Sequence, residues 1–244
     1  MFKKLKRYIY RLTHPVIGEV WELHSVTNVF SENMLNRQYE ISPEYLDALI
    51  MDYKRNGYEF ISINEVAQRL KHRNLMEKLR DIQHKFVAIT LDDGFGDNYE
   101  IAYPIFKRYN VPFCIYVASG FVEGFVFPHN DAMYKVLTIE QIKELSSDGL
   151  CTIGAHSVHH VDLAKLSKDQ MIEEISLCKQ KIETWTGKKI VDFSSPYGAF
   201  NDTSISLLKE LGFRTHVASW GGETRVGSSI WGIPRRIIVD KSIK

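Results

Sequence analysis

Two short stretches hold the residues able to do chemistry. In residues 88–94 (AITLDDG) an apolar run ends in two adjacent carboxylates, Asp92 and Asp93, followed by a glycine. Neighbouring carboxylates repel unless a cation or a hydrogen-bond donor separates their roles, although Asp-Asp-Gly is also ordinary turn chemistry. In residues 153–160 (IGAHSVHH), three of the nine histidines fall within five residues. His156 and His160 stand i, i+4, so a helical turn after the strand would put both imidazoles on one face, where they can share a metal. His159 then points elsewhere or competes as a ligand. A catalytic metal site takes a third protein ligand and keeps a position open for water. Asp92 or Asp93 supplies that ligand, and the other carboxylate is left to act as a base toward the water.

Buried strands must position these groups. Residues 86–91 and 151–155 read as strands directly ahead of the two clusters. Residues 16–23, 113–117, 190–194, 216–219 and 230–239 read as further strands, with Pro234 placing part of the last at an edge. Helices alternate with them. Ser42 caps one that has Pro43 first and Gly57 beyond its end. Another begins at Asn64 and runs on toward Arg80, and residues 99–109 form a third. Thr138 with Gln141 and Ser167 with Gln170 fit capping boxes, whose helices end before Gly149 and Gly187; residues 203–211 form a helix closed by Gly212. Strand then helix, repeated about six or seven times, predicts parallel strands with helical crossovers. A barrel and a doubly wound sheet both satisfy this pattern, and in both the chemistry collects at the C-terminal ends of strands. With no Pro/Gly/Ser-rich linker and no internal repeat, residues 1–244 read as one α/β domain, residues 1–15 being a basic N-terminal helix or arm.

Composition narrows the function classes. Hydrophobic residues make up 44% and charged residues 25%, which excludes disordered, collagen-like and coiled-coil chains. No apolar run approaches the roughly 18–20 residues needed to span a bilayer. The net charge of +1 speaks against a nucleic-acid binder. Cys114, Cys151 and Cys178 lack CxxC spacing and read as small buried hydrophobes in a reduced compartment. Residues 2–12 carry five basic and no acidic residues, without the apolar core of a secretory signal. They read as a packed or frayed helix, with weak contact to anionic lipid as the functional alternative. The expected location is cytoplasmic, or peripheral at the inner membrane face. Trp220, Trp231, Phe125, Phe127 and Tyr134 fall in expected loops and read as structural, as do His129 and Asp131 in a segment, residues 121–131, placed to cover a cleft.

Thr90-Leu91-Asp92-Asp93-Gly94 and His156-Ser157-Val158-His159-His160, in this order on strand ends, resemble the T-F/L-D-D-G and H-S/T-x-x-H motifs of polysaccharide deacetylases of carbohydrate esterase family four. Ser195-Pro196-Tyr197-Gly198 sits where that family carries R-x-P-Y. The resemblance implies a distorted (β/α) barrel of about seven strands and a divalent metal, commonly zinc. It implies a hydrolase that removes acetyl groups from an acetylated carbohydrate, either a polysaccharide or a glycan precursor. By position, Asp92 resembles the catalytic base, Asp93, His156 and His160 the metal ligands, and the Tyr197 backbone N–H the oxyanion donor.

Three departures accompany the resemblance. The family's arginine, which holds the catalytic aspartate, is Ser194 here. No L-x-H motif, the family's source of a general acid, follows Tyr197; the only later histidine, His216, lies in a different context. The D-x-x-D-W segment has only a weak echo in Ser219-Trp220-Gly221. Val20-Trp21-Glu22-Leu23-His24 resembles the start of circularly permuted deacetylases, in which the acid-bearing strand has moved to the front. On that resemblance His24 is the general acid, facing the metal from the side opposite Asp92. The missing arginine keeps open a catalytically impaired carbohydrate-binding module; a non-sugar amidohydrolase of the same fold is the further alternative.

Overall fold

The computed structural model describes residues 10, 13–71, 75–122, 126–129 and 132–240; most of the basic segment 2–12, together with Phe125 and Asp131, lies outside them. Seven strands form a closed parallel barrel: β1 (Val16–Leu23), β2 (Phe86–Leu91), β3 (Phe113–Val117), β4 (Cys151–Ala155), β5 (Asp192–Ser194), β6 (Thr215–Gly221) and β7 (Trp231–Ile237). Their order around the barrel is their order in the chain. Closure comes from β1, which pairs with β2 from Gly18↔Phe86 to Leu23↔Leu91 and with β7 at Trp21↔Arg236 and Glu22↔Ile237.

Among the described residues, seven longer helices follow the strands or precede β2: α1 (Pro43–Arg55), α2 (Ile63–Lys71), α3 (Leu75–Gln83), α4 (Tyr103–Tyr109), α5 (Ile139–Ser147), α6 (Lys168–Thr186) and α7 (Asp202–Glu210), beside the four-residue turns Met34–Arg37 and Ser119–Val122. The capping boxes at Thr138 and Ser167 open α5 and α6 as expected, and Ser42 caps α1 through the Tyr45 N–H. Among the described residues no helix is long and apolar enough to cross a membrane.

Strand alternation sorts the side chains into two cores. On β2, Val87, Ile89 and Leu91 pack outward against the helices, with Leu46, Ile50, Ile105 and Phe106. Phe86 and Ala88 point inward and meet Val20, Cys114, Tyr116, Val217 and Ile233. Large and small residues interlock there. A Cβ on Gly18 would lie 2.5 Å from the Phe86 ring, and one on Gly154 would lie 2.4 Å from the Tyr116 ring, so both glycines make room for a neighbour's ring.

Several expectations are corrected. Pro234 is not at an edge, because β7 pairs with both β1 and β6. Its missing N–H is accommodated by an irregularity in β6: Val217 pairs with Ile233 but Gly221 with Arg235, leaving extra residues opposite the proline. Strand β5 begins at Asp192, not at residue 190. The backbone of Ile190 is engaged by α6 side chains instead, its N–H by Glu183 and its carbonyl by Lys179. The helix expected from Asn64 starts at Ile63 and is two helices, α2 and α3. Trp220, Phe127 and Tyr134 sit on strands, the last two in a hairpin of Val126–His129 with Ala132–Lys135, and Trp231 opens β7, inside the strand expected over 230–239.

Candidate active site

The C-terminal strand ends surround a cleft of about 210 Å³ lined by Glu22, His24, Tyr39, Asp92, Asp93, His156, His160, Tyr197, Ser219 and Ile237. All six candidate residues read from the sequence are in it. Strained backbone collects here: among the described residues, besides Asn110 at a helix end, the non-glycine residues with positive φ are Asp93, Ser157, His160 and Tyr197. Such conformations cost on the order of 1–3 kcal/mol each and persist where surrounding contacts impose them.

The two adjacent aspartates have different partners. Asp92 continues the β2 ladder, its N–H donating to the Leu23 carbonyl at 2.9 Å, and its side chain enters the barrel. There Arg235 of β7 grips it with two hydrogen bonds of 2.7 Å, one to each oxygen. The guanidinium is fully buried and also donates to Thr90 Oγ1, Ser194 Oγ and the Ala218 carbonyl. Burial pushes the Asp92 carboxyl up, but Arg235 and His156 outweigh it and hold the group well below the usual carboxylate range. The charge missing at Ser194 is therefore supplied from the last strand, while the Ser194 hydroxyl itself donates to Asp92 at 3.0 Å. The sequence reading missed Arg235. The one local signal is strand alternation, which puts Arg235 on the same face as Ile233, a buried residue.

Asp93, turned by a φ of 72°, faces the histidines. Its Oδ1 is buried without a hydrogen-bond partner, with His160 Nε2 at 3.3 Å and His156 Nε2 at 3.5 Å. The ligand atoms of Asp93, His156 and His160 all lie within 4.8 Å of one another. His156 Nδ1–H donates to the Ser194 carbonyl at 2.8 Å, which leaves Nε2 facing Asp93, the outer-shell arrangement of a metal-binding histidine. Burial holds His160 down at about 4, with Asp93 opposing, so its ring is neutral and free to ligate near neutral pH. Asp93 is held at about 2, burial being outweighed by His160 and His156. Three buried carboxylates, Glu22, Asp92 and Asp93, share the cleft with the single guanidinium of Arg235. That charge imbalance, with an orphaned carboxylate oxygen between two imidazoles, fits a divalent cation.

The local path differs from the expected helical turn. Residues 156–160 form a loop, and left-handed Ser157 and His160 bring the two rings to a centroid distance of 5.0 Å.

His24 is beside Asp92, not across from it, because β1 pairs directly with β2 up to Leu23↔Leu91. A His24 ring nitrogen, a Glu22 oxygen and an Asp92 oxygen lie within 4.8 Å of one another, and the ring packs on Tyr39 at 4.7 Å. The strand end is tied to the aspartate loop: Asn98 Nδ2 donates to the His24 carbonyl at 2.8 Å and Ser25 Oγ to Asp97 at 2.5 Å. Tyr197 lies in the short turn Pro196–Gly198 with φ 58°, its ring 4.7 Å from that of His160. His216 is buried outside the cleft, sharing a hydrogen bond with Ser195 Oγ at 2.9 Å.

Comparison with known proteins agrees with this geometry. The family model for polysaccharide deacetylase matches residues 80–216. The Staphylococcus aureus poly-beta-1,6-N-acetyl-D-glucosamine N-deacetylase is 23% identical over 91% of this chain and 76% of its own length. The Streptococcus pyogenes deacetylase PplD, solved in complex with acetate, superposes with a TM-score of 0.77 at 25% identity, covering 92% of this chain and 93% of that one. IcaB from Ammonifex degensii gives a TM-score of 0.73 at 21% identity, covering 92% and 93%.

Proposed function

The chain belongs to the polysaccharide deacetylase family, and from that premise we propose that its cleft hydrolyses the acetamide of an N-acetylated glycan. Asp92 is the base, His24 the acid, and Asp93, His156 and His160 hold the cation. Removal of acetyl groups from carbohydrate is the reaction of the family; the residue roles and the amide are our reading. A pocket of about 210 Å³ is smaller than those that enclose drug-sized ligands, about 300–1,000 Å³. It takes the acetamide and leaves the sugar ring at its mouth. The name of the Staphylococcus relative suggests the substrate class, a polymer of N-acetylglucosamine.

When bound, a divalent ion supplies Lewis-acid activation of water and of the acetyl carbonyl. Two imidazole nitrogens and one carboxylate with an open position suit zinc. Asp92, kept anionic and fixed at both oxygens by Arg235, takes the proton of the attacking water. The Tyr197 backbone N–H donates to the oxygen on which charge develops. His24 gives its proton to the departing nitrogen, a step that an amine leaving group needs far more than an alcohol, which favours the amide. A front strand carrying the acid, closed against the last strand, is the arrangement a permuted order would produce.

The observation that carries the reading is the division of labour between adjacent aspartates: Asp92 locked to Arg235, and Asp93 with an orphaned oxygen facing two Nε2 atoms. A catalytically lapsed binding module drew its support from the absent arginine, and Arg235 removes that support. The test is acetate release from N- and O-acetylated glycans, with metal content measured in parallel. Asp92→Asn is expected to abolish turnover and retain metal, whereas Asp93→Asn and His160→Ala lose metal. The opposite pattern reverses the assignment of the aspartates, and glycan binding without acetate release in the metal-loaded wild type restores the binding-module reading.

A further inference from the structure

The loop that carries His156 and His160 is gripped from two sides. On one side stands Glu174 of α6, whose Oε2 accepts the backbone N–H groups of Val158 and His159, each at 3.0 Å. Its Oε1 accepts the His159 Nδ1–H at 2.6 Å. On the other side, the Ser119 N–H donates to the Ser157 carbonyl at 3.1 Å and the Gly120 N–H to the Val158 carbonyl at 2.8 Å. The approach is close: a Cβ on Gly120 would lie 2.6 Å from the Val158 carbonyl oxygen. The loop therefore has its carbonyls held by Ser119 and Gly120 and its N–H groups held by one carboxylate. Ser157 and His160 are both left-handed, an uncommon conformation for side-chain-bearing residues that these contacts help to hold. The same carboxylate accounts for the middle histidine. His159 is tied to Glu174 with its side chain 66% exposed, away from Asp93.

We infer that Glu174 is a positioning residue for the metal centre. Acting through the loop backbone, it sets the spacing of His156 Nε2 and His160 Nε2 before an ion arrives, and it keeps His159 from competing as a ligand. The inference rests on the reading of Asp93, His156 and His160 as the ligand set. Groups that orient metal ligands from outside change metal affinity by about 10–100-fold when removed. A residue that only stabilised the fold would lower the unfolding midpoint of the apoprotein and leave the affinity of the folded molecules unchanged.

The experiment is a Zn²⁺ titration of the metal-stripped full chain against a chromogenic chelator, with unfolding of the apoprotein measured alongside. Glu174→Ala is expected to bind Zn²⁺ about 10–100-fold more weakly than wild type. Glu174→Gln, which keeps one oxygen for the two N–H groups, is expected to fall between them. Deacetylase activity in both variants is expected to return as Zn²⁺ is raised. Wild-type affinity in folded Glu174→Gln and Glu174→Ala overturns the inference. If Glu174→Ala does not fold, the glutamine variant alone decides. A wild type that binds Zn²⁺ no better than His160→Ala overturns the ligand assignment instead, so the two failures are distinguishable.

Discussion

The lower and upper halves of the barrel interior are built by the same strands and follow opposite rules. Below, rings interlock with glycines, Phe86 with Gly18 and Tyr116 with Gly154, among aliphatic side chains. Above, the inward positions are Glu22, Thr90, Asp92, Ser194, Ser219 and Arg235, all but Ser219 fully buried. One pleat period separates the two regimes: Val20 gives way to Glu22, Val217 to Ser219 and Ile233 to Arg235. Burying apolar rings stabilises a fold. A buried charge cluster is near neutral for stability even when well paired. The lower half therefore holds the chain in register, and the upper half uses that register to keep charges at fixed separations.

Variants that separate the halves test this division. His24→Ala is expected to lower kcat by about 10²–10⁴-fold with metal content and unfolding midpoint little changed; a fall in stability matching that of the lower-half variants would break the comparison. Arg235→Met leaves Asp92 and Glu22 buried without their cation. It is expected to cost about 3–5 kcal/mol in denaturant unfolding, with part of the loss recovered when Asp92→Asn is added. Gly154→Ala overpacks the lower core against Tyr116 and is expected to cost about 1–3 kcal/mol while the folded protein keeps its kcat. A lowered kcat without a stability loss would show the two halves to be coupled at that layer.

A smaller effect belongs to the boundary between His24 and the aspartate loop. Burial raises the Asp97 carboxyl to about 7 against an unfolded value of 3.8, despite hydrogen bonds from Ser25, Val26 and Asn98. A raised folded value means that its contribution to stability is complete below about pH 3.8 and is lost as pH rises through about 7. Compared with wild type, Asp97→Asn is expected to lack this loss, up to about 1.4 kcal/mol per pH unit across the window. Unfolding of the two metal-free proteins between pH 4 and 8 measures it. Parallel pH profiles would return Asp97 to an ordinary carboxylate.

The sequence was legible where local pattern and tertiary outcome coincide. The boundaries of β1, β2, β3 and β4 could be read to the residue because each is a compact, largely apolar run. The capping boxes follow from side chains three positions apart. Both chemical clusters sit at strand ends, so the expected ligands and base arrive in one cleft. What escaped depends on pairings between distant segments. Pro234 becomes an inner-strand residue only because β6 is irregular opposite it. Arg235 reads locally as one of two adjacent arginines, and only the register of β7 against β1 and β6 turns it inward while Arg236 bonds Glu19 on the outside. The placement of His24 beside Asp92 likewise needs the direct pairing of β1 with β2.

Closure of the barrel by its last strand has a consequence during biosynthesis. A ribosome that has released the chain through β5 has already made Asp92, Asp93, His156, His160 and His24. The guanidinium that fixes Asp92 arrives only with residue 235, and β1 gains its β7 neighbour at the same moment. An emerging chain, or one clipped by a protease before Trp231, thus carries these cleft residues without the guanidinium that holds Asp92 and without the strand that closes the barrel. Truncation before Trp231 is therefore expected to abolish activity although Asp92, Asp93, His156, His160 and His24 all remain in the chain.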